Sequence, residues 1–342
     1  MEETISFQIL CKQNNIVIDR FHICTWEIGS NKPIIEIGID VNKECLNNFP
    51  CIDFSMYTPW KILECSDLFK EIKKEENARF IFNESIKGQK NLNNNSEFGV
   101  VHSFSNDTKL CILPVILNSS QSLVNFSIDL SHFNQERIDE NIYVRFYFMP
   151  NVSNISIHKT GIAKSTIIYD TKINEKRNIP SNLLQEIAKL HYPEISTCYN
   201  FNIVQNNFEI TYEDKHLKSI RNLEYKSFTD YFKELINANK LKIENKELLV
   251  VFSKSQESDS TYSYFTIYTK EHFGLKQISI VLILNLICSF LFFLPSYRGK
   301  SYNHNDSFIN NILSLPIELI IIFLIVVGSV IYIWNPKNIL KR

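Results

Sequence analysis

The stretch "IYVRFYFM", Ile142–Met149, decides how the chain is read. Ile142, Val144, Phe146 and Phe148 alternate with Tyr143, Arg145 and Tyr147, which sends two different sets of side chains to opposite faces of an extended segment. Upstream, "LVNFSIDL", Leu123–Leu130, has the same period: Val124, Phe126, Ile128 and Leu130 share one face, Asn125, Ser127 and Asp129 the other. Period two of this strength predicts half-buried strands of a sheet with one wet face. "IIEIGIDV" (34–41), "CILPVIL" (111–117), "FNIVQNNFEITY" (201–212), "LLVVFS" (248–253) and "YFTIYT" (264–269) extend the pattern along the chain. The expected fold is therefore mainly β, an antiparallel sandwich-like domain over residues 1–272 with a few short helices.

Three helices are expected inside that domain. "TPWKILECSDLFKEIKKEE" (58–76) offers Thr58 as N-cap, Pro59 in the first turn, and Ile62, Leu63, Phe69 and Ile72 as an apolar stripe. "SNLLQEIAKL" (181–190) follows Pro180 with Ser181 placed to cap, and "SFTDYFKELINA" (227–238) supplies the third. "FNESIKGQKNLNNNSEFG" (82–99) is polar and contains two glycines, which predicts a surface loop.

The last quarter changes character. "ISIVLILNLICSFLFFL", Ile278–Leu294, and the stretch Pro316–Trp334 are each apolar throughout most of their length. As helices they reach roughly 25–29 Å, about the hydrocarbon thickness of a bilayer. Pro316 suits a first helical turn, and Tyr332 and Trp334 suit an interfacial aromatic belt. The prediction is a transmembrane hairpin over 278–334, with helices at about 278–295 and 316–334, and a short basic tail at 335–342. Two polar groups stand inside it. Asn285 suits a helix–helix hydrogen bond, Glu318 a headgroup-level carboxylate near a helix N-terminus, and together they could line a hydrophilic path for lipid head groups.

Local rules disagree on which side of the bilayer the β-rich domain lies. Lys270, Lys276, Lys337, Lys341 and Arg342 flank the hairpin on the side of the domain, against Arg298 and Lys300 in its loop, which favours a cytosolic domain. The N-terminal "MEETISFQILCKQNNIVIDR" has no apolar core of a secretory signal. Against this stand Asn-x-Ser/Thr acceptor triplets at Asn83, Asn94, Asn106, Asn118, Asn125, Asn151 and Asn154, where chance in so Asn- and Ser-rich a chain supplies about five.

The 342 residues carry a formal charge of −1, which gives no electrostatic reason to expect nucleic acid. The eight cysteines contain no C-x-x-C pair; they suit buried small hydrophobes, with Cys45 and Cys51, flanking "LNNFP", the most plausible local disulfide. The eight histidines show no metal-ligand spacing, and no P-loop, G-x-G-x-x-G or G-x-S-x-G is present. No catalytic residue, metal or cofactor is expected on local motifs, so the chain is read as a non-enzyme.

Several segments, in order, resemble the lumenal domain of the cleft lip and palate transmembrane protein family. They are "PCIDFSMYTPW", "IDLSHFNQERIDENIYVRFYFM", "TKINEKRNIPSNLL", "LHYPEISTCYNFNIVQNN" and "FTDYFKELINANKLKIENKELLVVFS". The resemblance spans residues 48–295 and implies an endoplasmic reticulum membrane protein with a lumenal β-domain. It also implies a part in moving phospholipids or glycosylphosphatidylinositol (GPI) precursors between leaflets, or in retaining and handling client membrane proteins. Such a member differs from its relatives in having two membrane helices where they have more. From the charge count alone, the alternative is a cytosol-facing, membrane-anchored adaptor.

Overall fold

A computed structural model describes residues 5–28, 32–46, 49–161, 164–179, 184–237, 247–271, 278, 281–289, 324 and 327–328. The chain divides into two compact units. One comprises Met1–Lys159 with Thr166–Lys270, the other Thr160–Ser165 with Glu271–Arg342.

The larger unit is built from two sheets. The first runs Glu209–Glu213, Tyr262–Glu271, Lys164–Ile173, Ile5–Cys11, Cys51–Tyr57, Leu123–Asp129, Ile116–Ser120. The second runs Leu217–Asn222, Leu248–Ser255, Cys198–Gln205, Val17–Trp26, Ile34–Val41, Asn141–Pro150, Lys109–Ile112, Val100–Phe104, Ile86–Asn91. The expectation of antiparallel sheets is corrected: both are mixed. Ile5–Cys11 lies parallel to Lys164–Ile173, Val17–Trp26 parallel to Cys198–Gln205, and Lys109–Ile112 parallel to Asn141–Pro150.

The inner faces of the two sheets make the main core. Phe54, Phe126 and Ile128 from the first sheet meet Ile37, Ile39, Val144, Phe146 and Phe148 from the second, all buried. Phe126 joins the layers, stacked on Phe54 at 4.9 Å and tilted against Phe146 at 4.9 Å. Each such side chain contributes about 1.5–3 kcal/mol by leaving water. On Leu123–Asp129 the alternation holds as expected, with Val124, Phe126 and Ile128 buried and Asn125 and Asp129 exposed.

Asn141–Pro150 behaves differently. Tyr143, Arg145 and Tyr147, expected on a wet face, are all buried. A layer of short helices, Phe69–Ile72, Glu75–Phe82, Tyr225–Tyr231 and Lys233–Asn237, covers the second sheet's outer face. Trp26 stacks on Phe228 at 5.1 Å and Phe82 meets the Tyr143 ring edge-on at 4.9 Å. The architecture is thus sheet, sheet, helix layer, with two large apolar cores and a small third cluster of Leu10, Tyr57 and Ile187.

Two further expectations change. In residues 58–76, the half expected to open a helix is a strand, Ile62–Asp67, paired antiparallel with Asn141–Pro150. Thr58 closes a turn there by donating its hydroxyl to the Trp60 carbonyl at 2.8 Å, and the Ile62 amide donates to Gln121. An open strand edge outweighs helix propensity. Helix begins only after Asp67, whose carboxylate accepts the Phe69 amide at 3.0 Å. Residues 82–99 are no loop either: Ile86–Asn91 pairs with Val100–Phe104, and Leu92 is buried. Gly99, at φ +152°, lets Leu92 and Leu113 close over its backbone, where a Cβ would stand 2.5 and 2.6 Å from their methyl groups. The helix expected over 181–190 is described as Leu184–Ile187, while Ser181 lies outside the described residues.

In the smaller unit, residues 281–289 are helical, with Val281, Leu282, Leu284 and Ile287 exposed. Among the described residues no helix is long and apolar enough to cross a membrane. The second apolar stretch, 316–334, lies outside the described residues except at 324, 327 and 328.

Candidate functional site

The pairing of Val17–Trp26 with Ile34–Val41 slips by one residue between Ile18 and Arg20, leaving Asp19 as the extra residue of a bulge. A bulge re-aims side chains that strict alternation would send to opposite faces. Asp19 and Arg20, neighbours in sequence, consequently line the same cleft of about 390 Å³. Asn141, at the start of its strand, ties the group together: its amide donates to Asp19 at 2.7 Å and to Asp40 at 3.1 Å. Asn42 adds a second donor to Asp19 at 3.0 Å, and the Arg20 guanidinium donates to Asp40 at 2.6 Å.

Asp40 is almost fully buried, and burial pushes its carboxyl above the ordinary value, against the pull of Arg20 and Asn141. The remaining lining is Phe82, Glu84, Phe104, Asn106, Thr108, Lys109 and Leu110. Three carboxylates, two cations, two amides and an apolar floor therefore share one half-open site. Such a lining can hold hydroxyl groups and an ammonium at the carboxylates, a phosphate at Lys109, and a ring or chain against Phe82 and Phe104.

A buried polar ladder continues the cleft along the same sheet face. Register places Arg20 opposite Asp40, His22 opposite Gly38, and Cys24 opposite Glu36; on the other side Tyr143 lies opposite Asp40 and Arg145 opposite Gly38. Arg145 forms a salt bridge with Glu36 through Nη2 and donates Nε to the same carboxylate oxygen at 2.8 Å. Its Nη1 donates to the Tyr143 hydroxyl at 3.0 Å, which also meets His22 Nδ1 at 3.1 Å. The Tyr231 hydroxyl, from the helix layer, donates to Glu36 at 3.3 Å. Burial alone pushes the Glu36 carboxyl up and Arg145 draws it back; Arg145, which that carboxylate holds well above its ordinary value, stays the cation. Burial, then Arg145 and Arg20, hold His22 well below its usual value, so it is neutral. Gly38 makes the arrangement possible, because a Cβ there would stand 2.1 Å from the Tyr143 hydroxyl oxygen.

Ser156, His158 and Glu27 also come together. Ser156 donates its hydroxyl to Glu27 at 2.7 Å and approaches His158 Nε2 at 2.9 Å. Glu27 reaches that same nitrogen at 3.0 Å. A nucleophile relay needs the carboxylate on one ring nitrogen and the serine on the other. Here both share one, and Tyr169 donates to Glu27 as well, at 2.9 Å, so this is a carboxylate held by convergent donors. Among the described residues no group of three or more His, Cys, Asp or Glu is arranged to hold a metal.

The residues singled out from the sequence lie elsewhere. Asn285 is exposed on the 281–289 helix, its carbonyl accepting from Ser289 Oγ at 2.9 Å, and Glu318 lies outside the described residues. Asn83, Asn94, Asn106, Asn118, Asn125, Asn151 and Asn154 are all exposed, whereas the buried asparagines, Asn77, Asn174, Asn200 and Asn202, stand in no acceptor triplet. Asn106 alone among the seven lines the cleft. Cys45 and Cys51 are free thiols, and Cys45 points its Sγ at the Asn42 carbonyl, 2.9 Å away. Burial pushes the thiols of Cys11, Cys65 and Cys198 up to about 12, which makes them inert apolar filler.

Asp19, Asp40 and Asn141 escaped the sequence reading. Acidic residues inside apolar strand runs, as in "IIEIGIDV", were the available signal. No protein-family model matches this chain. No curated protein matches it either.

Proposed function

We propose that this chain is a non-catalytic membrane-anchored binding protein of the endoplasmic reticulum, whose lumenal β-domain recognises the polar head group of a phospholipid or GPI precursor. One observation carries the reading: the bulge at Asp19 gathers two carboxylates, a guanidinium and an amide into a half-open cleft with an apolar floor. A head group bearing an amine, hydroxyls and a phosphate complements that lining group by group. The anchor is the pair of apolar stretches 278–294 and 316–334, and the exposed Val281, Leu282, Leu284 and Ile287 support it. The exposure of the seven acceptor asparagines that lie in the β-domain supports a lumenal placement of that domain.

Calorimetric titration of the full chain in detergent tests the reading. Glycerophosphoethanolamine should bind saturably, more tightly than glycerophosphocholine, whose quaternary ammonium has no N–H to donate. Asp19→Asn and Lys109→Ala should each weaken binding by roughly tenfold, the loss of one charge-assisted contact. Absence of saturable binding, or equal binding by both compounds to wild type and variants alike, overturns the assignment.

A further inference from the structure

We infer that the hairpin of Ile116–Ser120 and Leu123–Asp129 carries an N-linked glycan on Asn118 or on Asn125, and that the folded protein never carries both. The inference rests on the lumenal placement proposed above. Both asparagines head acceptor triplets, Asn118-Ser119-Ser120 and Asn125-Phe126-Ser127. In the sheet they are direct cross-strand partners, and both are exposed. Residues opposite each other in an antiparallel pair point from the same face, with Cβ atoms about 4.5–5.5 Å apart. A pyranose ring with its hydroxyl groups and hydration is wider than that gap, so two sugar cores cannot stand there side by side.

The site is otherwise open to attachment. Asn125 uses its carbonyl oxygen to accept from Ser55 Oγ at 2.7 Å, a bond that survives when the amide nitrogen carries a sugar. Transfer condenses that nitrogen with the anomeric carbon of a lipid-linked oligosaccharide donor. The N–H proton is lost, and the lipid diphosphate leaves. A sugar at this position also has a structural use. Among the described residues Ile116–Ser120 is the last strand of its sheet, with no strand paired to its outer edge, and Ile116 is 69% exposed. Bare apolar edges recruit other strands, and a bulky hydrophilic group beside them blocks that pairing. Because the transferase meets the chain before the hairpin closes, a chain modified at both positions is expected to fail in folding.

Trypsin isolates the pair cleanly, since Leu110–Arg137 contains both sites and no other acceptor triplet. Intact-glycopeptide mass spectrometry of the full protein from microsomes should find one glycan on this peptide, never two. Asn118→Gln and Asn125→Gln should each leave one glycan on it, because the remaining site takes over, and the double variant should have none. Two glycans on one folded molecule, or a hairpin bare in wild type while other acceptor sites are filled, overturns the inference and leaves the lumenal reading standing. No glycan at any site, together with protease sensitivity of the domain in sealed microsomes, overturns the lumenal reading itself.

Discussion

Replacing Gly38 by alanine tests the polar ladder at its tightest point. A Cβ built there stands 2.1 Å from the Tyr143 hydroxyl oxygen, 2.9 Å from its Cζ and 3.2 Å from Arg145 Nη1, all in a fully buried layer. The tyrosine has to move by more than an ångström, because close-packed interiors do not absorb a methyl group. Overpacking of this kind costs about 1–3 kcal/mol. Moving Tyr143 also removes the acceptor of Arg145 Nη1 and the partner of His22 Nδ1, and an orphaned buried polar group costs about 1–3 kcal/mol. The gain in strand preference of alanine over glycine offsets about 0.5–1 kcal/mol. The expected net loss is about 2–5 kcal/mol, which for a unit of this size lowers Tm by roughly 5–15 °C. Gly88→Ala is the matched control: its Cβ meets nothing within 4 Å, so stability should rise by about 0.5–1 kcal/mol, the strand-preference gain alone. Denaturation of the full chain in detergent, followed by fluorescence of the buried Trp26 and Trp60, reads both. Equal midpoints for the two variants refute the claim that Gly38 is there to admit the Tyr143 hydroxyl.

Three other perturbations follow from the same geometry. Arg145→Met should destabilise by about 3–5 kcal/mol by stranding Glu36 without its cation, and Glu36→Leu with Arg145→Met together should cost less than Arg145→Met alone, a comparison made by double-mutant cycle. Burial pushes the Asp67 carboxyl from 3.8 up to about 6, so the proton is held more tightly in the folded state; stability is full below pH 4 and falls as pH rises through 6. Lowering pH from 7 to 5 should therefore raise the unfolding free energy through this group by about 1–2 kcal/mol, and Asp67→Asn should flatten that slope; an unchanged slope contradicts the assignment. Asn106 lines the cleft, so a glycan there would fill it, and enzymatic removal of N-glycans should leave head-group affinity unchanged or increase it; a loss of binding on deglycosylation contradicts the cleft assignment.

The two strands that alternate most cleanly show what a pattern can and cannot report. On Leu123–Asp129 the polar face meets water, so periodicity and exposure coincide. On Asn141–Pro150 the polar face meets a helix layer, and Tyr143 and Arg145 are satisfied there by His22, from another strand, and by Glu36. Period two records a difference in chemistry between faces; it does not say whether water or protein covers the polar one. The strand Ile62–Asp67 was illegible for a related reason. Its local signals favour helix, and only an open edge of Asn141–Pro150, supplied by chain far away in sequence, makes extension preferable. The cleft depends on a one-residue slip at Asp19 and on register across three strands, none of which a single sequence displays. By contrast, the alternation on Leu123–Asp129 placed Asn125 and Asp129 on the wet face from the sequence alone.

Hydrogen exchange of the full chain in lipid nanodiscs tests the central claim most directly. Nanodiscs containing phosphatidylethanolamine should slow amide exchange at residues 17–22, 104–111 and 139–143, three segments that line the cleft, relative to nanodiscs of phosphatidylcholine alone, and Asp19→Asn should reduce the difference. Unchanged exchange in those three segments, with protection confined to other parts of the β-domain, would contradict it.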